Sequence, residues 1–293
     1  MEKSEEVKEP HAIKKKRKNT VLWLAVFIIC ALVASACLGV WVYHAILRRT
    51  MNELYKEVRI EIADMPIKPD YITAPVTSED GAEEIVGEEN VNGEETPRPL
   101  AVINFPLLKE TSPDVYAWIE IPGTKIAYPI VQHPVNNGYY LRRAINGAYD
   151  ITGCIYTQNY NKIDFSDANT LIYGHYMNDG TKFGQLLSYM DEDFFESHRR
   201  IDVYTENHWQ TYEVFAALPF DTRHVLRGYR WADDPLGAFL SDVYKTHDAR
   251  AVIDEDYPID SEKDKIITLS TCLKNSSKRY LVLAKLVRSH ICE

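Results

Sequence analysis

Two residues near the C-terminus are able to do chemistry together. Cys272 ends the apolar run 265–272, and Arg279 lies at the start of the apolar run 278–287. Both runs are short and partly β-branched, which predicts two strands, and the polar residues 273–277 between them predict a connecting loop. Such a hairpin would bring a thiol and a guanidinium to one sheet edge. A neighbouring cation lowers the pKa of a thiol, and the thiolate is the nucleophile. The alternative is a buried, inert Cys272 and a solvated Arg279.

A histidine far upstream is the third candidate. His175 follows Gly174 at the end of a predicted strand, 170–173. A cysteine with a sequence-distant histidine is the usual pattern of thiol catalysis. Taken singly, a histidine in the core or on the surface is the more common explanation. His175 is therefore a catalytic candidate only in combination with Cys272 and Arg279.

Several ordered motifs connect these residues to a known family. They are the segments 118–126 (WIEIPGTKI), 128–132 (YPIVQ), 167–175 (DANTLIYGH), 182–186 (KFGQL) and 268–272 (TLSTC). Over roughly its last two-thirds the chain resembles the sortases, and the match is closest to class B sortases. The resemblance implies a cysteine transpeptidase in which Cys272 is the nucleophile, His175 the acid or base and Arg279 the third catalytic residue.

The same resemblance implies partners and contact residues. Sortases cleave a sorting motif near the C-terminus of a secreted protein through a thioacyl enzyme, which an amine of the cell-wall precursor (lipid II) or of a pilin then resolves. The residues expected to contact the substrate are Asn137, Leu141, Ser270 and Leu226, together with Val225. Loop or core packing explains each of these residues about as well.

The pattern of short strands indicates how these side chains are positioned. Strands are predicted at 117–121, 126–131, 153–157, 170–173, 200–205, 210–217, 266–271 and 280–287. Eight short strands with Gly, Pro and Asn turns favour a closed β-barrel, so we expect a mainly β, eight-stranded, sortase-type barrel. Helical turns are expected at 106–114, a short helix at 183–189, and a helix at 235–246 in the connection before the cysteine strand.

The N-terminal part predicts a membrane anchor. The basic block 14–18 precedes the run 21–43, which is apolar and free of charged residues. That length suits a spanning helix, and the positive-inside rule puts the N-terminus in the cytoplasm and the rest of the chain outside. A signal peptide cleaved after 34–36 is the alternative. We therefore expect a single-pass protein of a Gram-positive cell membrane.

The predicted domain organisation follows from these segments. We expect a cytoplasmic tail at 1–20, a transmembrane helix at 21–43, an extracellular linker at 44–99 and a catalytic domain at 100–293. A juxtamembrane helix is predicted at 45–64, and the stretch 76–96 carries eight acidic residues with no Lys or Arg, which is typical of an extended tether.

Composition excludes several function classes. The formal net charge of -10 argues against a nucleic-acid partner. The five cysteines form no Cys-x-x-Cys pair, and we expect neither a disulfide framework, a metal nor a cofactor. Two functions remain beside the transpeptidase: a thiol hydrolase with water as acceptor, and a non-catalytic wall-associated binding domain on the same barrel.

Overall fold

The computed structural model describes residues 11–61, 75–77, 83–85, 99, 101–273 and 277–291. Within them the chain divides into one compact unit up to Glu53 and a second unit that begins at Leu54. Residues 1–10 of the predicted tail, most of the predicted acidic linker and Cys292 lie outside the described residues.

One long helix, α1, runs from His11 to Val58. Its part Leu22–Val58 is long and apolar enough to cross a membrane. The predicted spanning segment and the predicted juxtamembrane helix are therefore one continuous element. That helix ends at Val58, short of the expected residue 64, because the chain there turns into a strand.

Short strands accompany the N-terminal part of the chain. Strand β1 (Arg59–Glu61) pairs with β4 (Ala101–Ile103), and β2 (Pro75–Thr77) pairs with β3 (Glu83–Ile85), both antiparallel. The described part of the expected extended tether thus includes a two-stranded hairpin.

Eight further strands close into a barrel, which confirms the predicted fold class. Around the barrel they follow the order β9, β5, β6, β7, β8, β12, β13, β10, and β10 pairs again with β9. The pairs β6–β7 and β8–β12 are parallel, and the others are antiparallel. The strands are β5 (Val115–Glu120), β6 (Ala127–Val131), β7 (Ile155–Thr157), β8 (Asn169–Tyr173), β9 (Arg200–Tyr204), β10 (His208–Phe220), β12 (Ile266–Cys272) and β13 (Arg279–Ile291), with β11 (Val252–Ile253) added at β10.

The helices of the second unit are short. They are α2 (Phe105–Thr111), α3 (Glu192–Ser197), α4 (Val225–Gly228) and α5 (Pro235–Tyr244), with 3₁₀ turns at Tyr139–Arg142 and Gly184–Met190. Helix α5 is the helix predicted before the cysteine strand. It begins where the Asp234 side chain accepts a hydrogen bond from the Gly237 N–H, at 2.8 Å, just ahead of Pro235.

Apolar side chains cover both faces of the strands next to α5. On β13, Tyr280 and Val282 point into the core inside the barrel, whereas Leu281 and Leu283 join a second core with Phe239 of α5. Because both faces are buried, β13 has a continuous apolar run instead of an alternating one. This double burial makes β12 and β13 a rigid base for the residues at their ends.

The second unit also includes the end of α1 and strand β1. The ring of Tyr55 packs edge-on against Trp118 and Tyr128, with centroid distances of 6.1 Å in both pairs. Arg59 donates two hydrogen bonds to the buried carboxylate of Glu120, at 2.9 and 2.6 Å. The folded unit therefore starts upstream of the position 100 expected for the catalytic domain.

The ion pair of Arg59 with Glu120 gives the first prediction. Arg59→Ala leaves the carboxylate of Glu120, a residue only 6% exposed, without its partner. Breaking a buried pair from one side costs about 3 kcal/mol of the free energy of unfolding. Denaturant unfolding of the full chain in detergent micelles measures this change. As a control, Lys109→Ala removes the exposed pair with Glu206 and should cost below about 1 kcal/mol. Equal costs for the two variants would contradict the buried role of Arg59.

Candidate active site

Cys272 and Arg279 face each other across the β12–β13 ladder. They are the last residue of β12 and the first residue of β13, and their Cα atoms are partners in the antiparallel register. The Nη1 of Arg279 donates a hydrogen bond to the Cys272 Sγ at 3.0 Å, and the thiol is solvent-exposed. The expected hairpin has therefore formed, and a permanent cation touches an accessible sulfur atom. A thiolate at this position accepts a charge-assisted hydrogen bond.

Lys278, the cation next to Arg279, forms an ion pair with a carboxylate instead. The Nζ of Lys278 lies 3.4 Å from Oδ2 of Asp248, a carboxylate that Arg250 also binds. Arg279 rather than Lys278 is therefore the cation at the sulfur atom.

His175 is brought to the same end of the barrel by β8. This strand pairs in parallel with β12, with Tyr173 opposite Ser270, and the Gly174 N–H extends the pairing by donating to the Ser270 carbonyl at 3.1 Å. Parallel neighbours end at the same sheet edge, so His175 leaves β8 close to where Cys272 ends β12.

Gly174 is needed for this path. A Cβ at Gly174 would lie 2.5 Å from the ring of Phe183 and 2.6 Å from a methyl group of Ile155. The backbone beyond it is fixed because the Phe183 N–H donates to the His175 carbonyl at 3.0 Å. The Tyr-Gly-His sequence therefore reflects close packing before the histidine.

The environment of His175 favours its neutral form. Partial burial lowers the pKa of the imidazole, and the positive charges of Lys182, Arg142 and Arg279 lower it further. Burial and nearby cations both disfavour an additional positive charge. The imidazole of His175 therefore takes up a proton reluctantly and releases it readily.

A cleft of about 240 Å³ joins these groups. Its wall includes all three predicted catalytic side chains, and the predicted contact residues Leu141 and Ser270, as well as Val225, line it too. Two predicted contact residues lie elsewhere: Asn137 accepts a hydrogen bond from the Asn159 N–H at 2.7 Å, and Leu226 packs against the core under α5. The roles of Asn137, Leu141, Leu226 and Ser270 in substrate binding stay predictions.

The cleft also contains polar residues that the sequence analysis missed. Gln158, Tyr173 and His224 line it and are joined by hydrogen bonds. His224 directly precedes Val225 in the connection before α5, and this proximity was the one available signal. No sequence pattern pairs it with Gln158.

Comparisons with known proteins agree with this architecture. Residues 119–287 match the family model of the sortase domain. Sortase B of Staphylococcus aureus is 30% identical over 190 residues, which cover 63% of this chain and 75% of that protein. A crystal structure of sortase B from Bacillus anthracis is 32% identical and superimposes with a TM-score of 0.55, covering 63% of this chain and 84% of the other. A Streptococcus pyogenes class B sortase involved in pilus biogenesis is 27% identical, with a TM-score of 0.54 over 62% of this chain and 97% of the other.

The chain therefore belongs to the sortase family. Within the family it is similar to class B enzymes, and its activity is that of a class B cysteine transpeptidase. Membership of this class excludes a non-catalytic binding domain, which was one of the functions that the sequence left open.

Replacement of Arg279 gives the second prediction. Arg279→Lys keeps the charge but loses the planar, forked donor that reaches the sulfur atom. We expect turnover of a cleaved peptide to fall about 10²-fold, the scale of losing one oxyanion or positioning donor. Steady-state cleavage measures it. The matched control is Lys278→Ala, which should cleave at close to the normal rate, because Lys278 faces Asp248. The reverse ranking of the two variants would move the role to Lys278.

The cations around His175 give the third prediction. Lys182→Gln removes a positive charge that lowers the pKa of His175, so the imidazole should titrate at higher pH. At pH 7 the imidazolium fraction then rises, and acylation by a peptide should become faster if the imidazolium protonates the leaving amine. NMR titration and rapid-quench acylation measure the two effects. Lys263→Gln, which removes an exposed lysine that pairs with Asp260, is the control. An unchanged titration in Lys182→Gln would contradict the electrostatic explanation.

Proposed function

We propose that this class B sortase cleaves a sorting motif near the C-terminus of secreted proteins and transfers them to an amine of the cell-wall precursor lipid II. The observation that carries the proposal is the hydrogen bond between the Arg279 guanidinium and the accessible Cys272 thiol, in a cleft that His175 also lines. A nucleophile and a titratable imidazole can carry out amide exchange through a thioester, and a fixed cation can stabilise the oxyanion that forms on the way.

The chemistry follows from the three side chains. The Cys272 sulfur attacks the carbonyl carbon of the scissile bond, and Arg279 donates to the negatively charged oxygen that develops there. His175 gives a proton to the leaving amine, the C–N bond breaks, and the thioester remains on Cys272. In the second step the acceptor amine attacks the thioester, passes a proton to His175, and the sulfur leaves as thiolate.

The acceptor is the least constrained part of this proposal. A pilin lysine is the alternative to lipid II, since a similar class B sortase of Streptococcus pyogenes is involved in pilus biogenesis. Water is the acceptor of a hydrolase. Product analysis with a pilin lysine peptide, with a wall cross-bridge peptide and without any amine distinguishes these three acceptors.

Replacing the nucleophile gives the fourth prediction. Cys272→Ala should abolish both the acyl enzyme and cleavage, since only the attacking sulfur atom is removed. Mass spectrometry of the full-length protein in detergent micelles, incubated with a library of sorting peptides, detects the thioester. The control is Cys154→Ser, which should remain active. Burial raises the pKa of the Cys154 thiol to about 12, and this thiol donates to the Arg143 carbonyl as a serine hydroxyl also would. Acylation that disappears in Cys154→Ser and persists in Cys272→Ala would overturn the assignment.

The N-terminal helix leads to a proposal about location. Its apolar part is compatible with a single membrane span, and the basic block 14–18 ahead of it supports a cytoplasmic N-terminus with the barrel outside. Membrane-retained substrate and lipid-linked acceptor would then lie near one plane with the enzyme, which raises their effective concentration.

Removal of the anchor gives the fifth prediction. A variant lacking residues 1–45 and secreted behind a cleavable signal should still cleave peptides but should attach little substrate to the cell wall. Fractionation of cells and immunoblotting of the wall-linked substrate measure this loss. Normal attachment by the released protein would overturn the proposed role of the anchor.

A further inference from the structure

Gln158 lines the cleft, and the side chain of Gln132 holds its main chain in place. Gln158 follows β7, and its carbonyl accepts a hydrogen bond from the Gln132 amide nitrogen at 3.0 Å. The same nitrogen donates to the Thr157 hydroxyl at 2.9 Å and to the Asn161 carbonyl at 3.0 Å. One half-buried amide thus fixes the turn that carries Gln158 into the cleft.

The orientation of the Gln158 side chain follows from His224. The Nδ1 of His224 faces the Arg227 N–H at 3.3 Å and must accept from it, because a backbone N–H can only donate. The proton of the neutral ring is then on Nε2, which lies 2.6 Å from the Gln158 side chain and must donate to it. The group at that distance is therefore the amide oxygen Oε1, since the amide nitrogen accepts no hydrogen bond.

Tyr173 adds a second hydrogen bond to the same oxygen. Its hydroxyl donates to the Gln158 Oε1 at 3.3 Å, and burial raises the pKa of this phenol, which keeps it protonated. A carbonyl oxygen has two lone pairs, and these two donors occupy both. Within the part of the chain that the structure describes, the nitrogen of this carboxamide has no protein partner. Gln158 therefore presents two fixed N–H donors in the wall of the cleft.

The geometry points to Gln158 as a specificity-determining residue, which donates to an acceptor oxygen on one side chain of the bound peptide, a carboxamide or a carboxylate. His224 and Tyr173 are its positioning residues. The inference rests on the proposed peptide cleavage at Cys272. A bound peptide displaces water from the donors, so a side chain without an acceptor leaves them unpaired and binds more weakly.

The side-chain amide nitrogen of Gln158 distinguishes the proposed role in specificity from a purely structural role. A bridge between the end of β7 and the start of α4 needs only the oxygen of Gln158, which accepts from His224 and Tyr173. A glutamate would serve that bridge equally well, because its oxygen can accept the same two bonds. Gln158→Glu therefore keeps the bridge and replaces the donors by an acceptor.

The test uses the full-length protein in detergent micelles and five-residue peptides embedded in a constant flanking sequence. Starting from a peptide that acylates Cys272, each position is filled in turn with Asn, Asp, Leu or Lys, and kcat/KM is measured. For wild type we expect one position at which Asn exceeds the near-isosteric Leu by about 5- to 10-fold, the value of one net hydrogen bond.

Variants of Gln158 and His224 then test whether Gln158 causes the preference for Asn over Leu. Gln158→Leu should bring the Asn-to-Leu ratio close to one, and Gln158→Glu should favour Lys over Leu and disfavour Asp at the same position. His224→Phe should also lower the ratio, because the Gln158 Oε1 loses the donor that orients the carboxamide. Thr222→Val, a change in the lining of the same cleft, is the control and should leave the ratio unchanged.

The outcomes are distinguishable. If no peptide acylates the wild-type protein, the proposed function fails and this inference fails with it. If peptides acylate Cys272 but Gln158→Glu keeps the preference for Asn, or lowers all peptides equally, the inference alone is overturned. A wild-type enzyme without any Asn-to-Leu discrimination would also overturn it, since the donors would then serve a main-chain carbonyl.

Discussion

The register of strand β12 is the constraint on which the site depends. β12 pairs in parallel with β8, placing Ser270 opposite Tyr173, and antiparallel with β13, placing Cys272 opposite Arg279. These two pairings bring three distant chain segments to one end of the barrel. A shift of one residue would turn the thiol to the other face of the sheet. The two cores that cover the strands on both sides hold this register in place, so packing far from the cleft fixes the distance between sulfur and guanidinium.

Electrostatics in the cleft acts on His175 through several groups at once. Partial burial lowers the pKa of its imidazole, and the positive charges of Lys182, Arg142 and Arg279 lower it further. In the proposed mechanism the imidazolium gives up a proton during acylation, so these cations disfavour the form that acylation uses. The protonation of His175 therefore depends on Lys182 and Arg142 as well as on Arg279, which also donates to the sulfur atom.

The sequence was sufficient for the barrel and for the grouping of its chemistry, because both depend on local patterns. Short apolar runs between turn residues predict all eight barrel strands, and the strand ends predict that Cys272 and Arg279 meet. The contact of Gln158 with His224 was not predictable, since it joins side chains 66 positions apart in two loops. The docking of Tyr55 and Arg59 was missed for a similar reason: a helix end and a three-residue strand have no periodicity of their own. Val225 lines the cleft, and its neighbour Leu226 packs against the same core under α5, so the role of Leu226 in substrate binding stays a prediction.

The pairing of β1 with β4 has a topological consequence. Residues 62–100 link β1 to β4 covalently, whereas the ladder, the Arg59–Glu120 ion pair and the Tyr55 rings join the end of α1 to the barrel without a covalent bond. A single proteolytic cut between residues 62 and 100 would therefore break only the covalent link. We expect the two fragments to remain associated through these contacts until the barrel unfolds, much as the subunits of a two-chain protein are held by their interface.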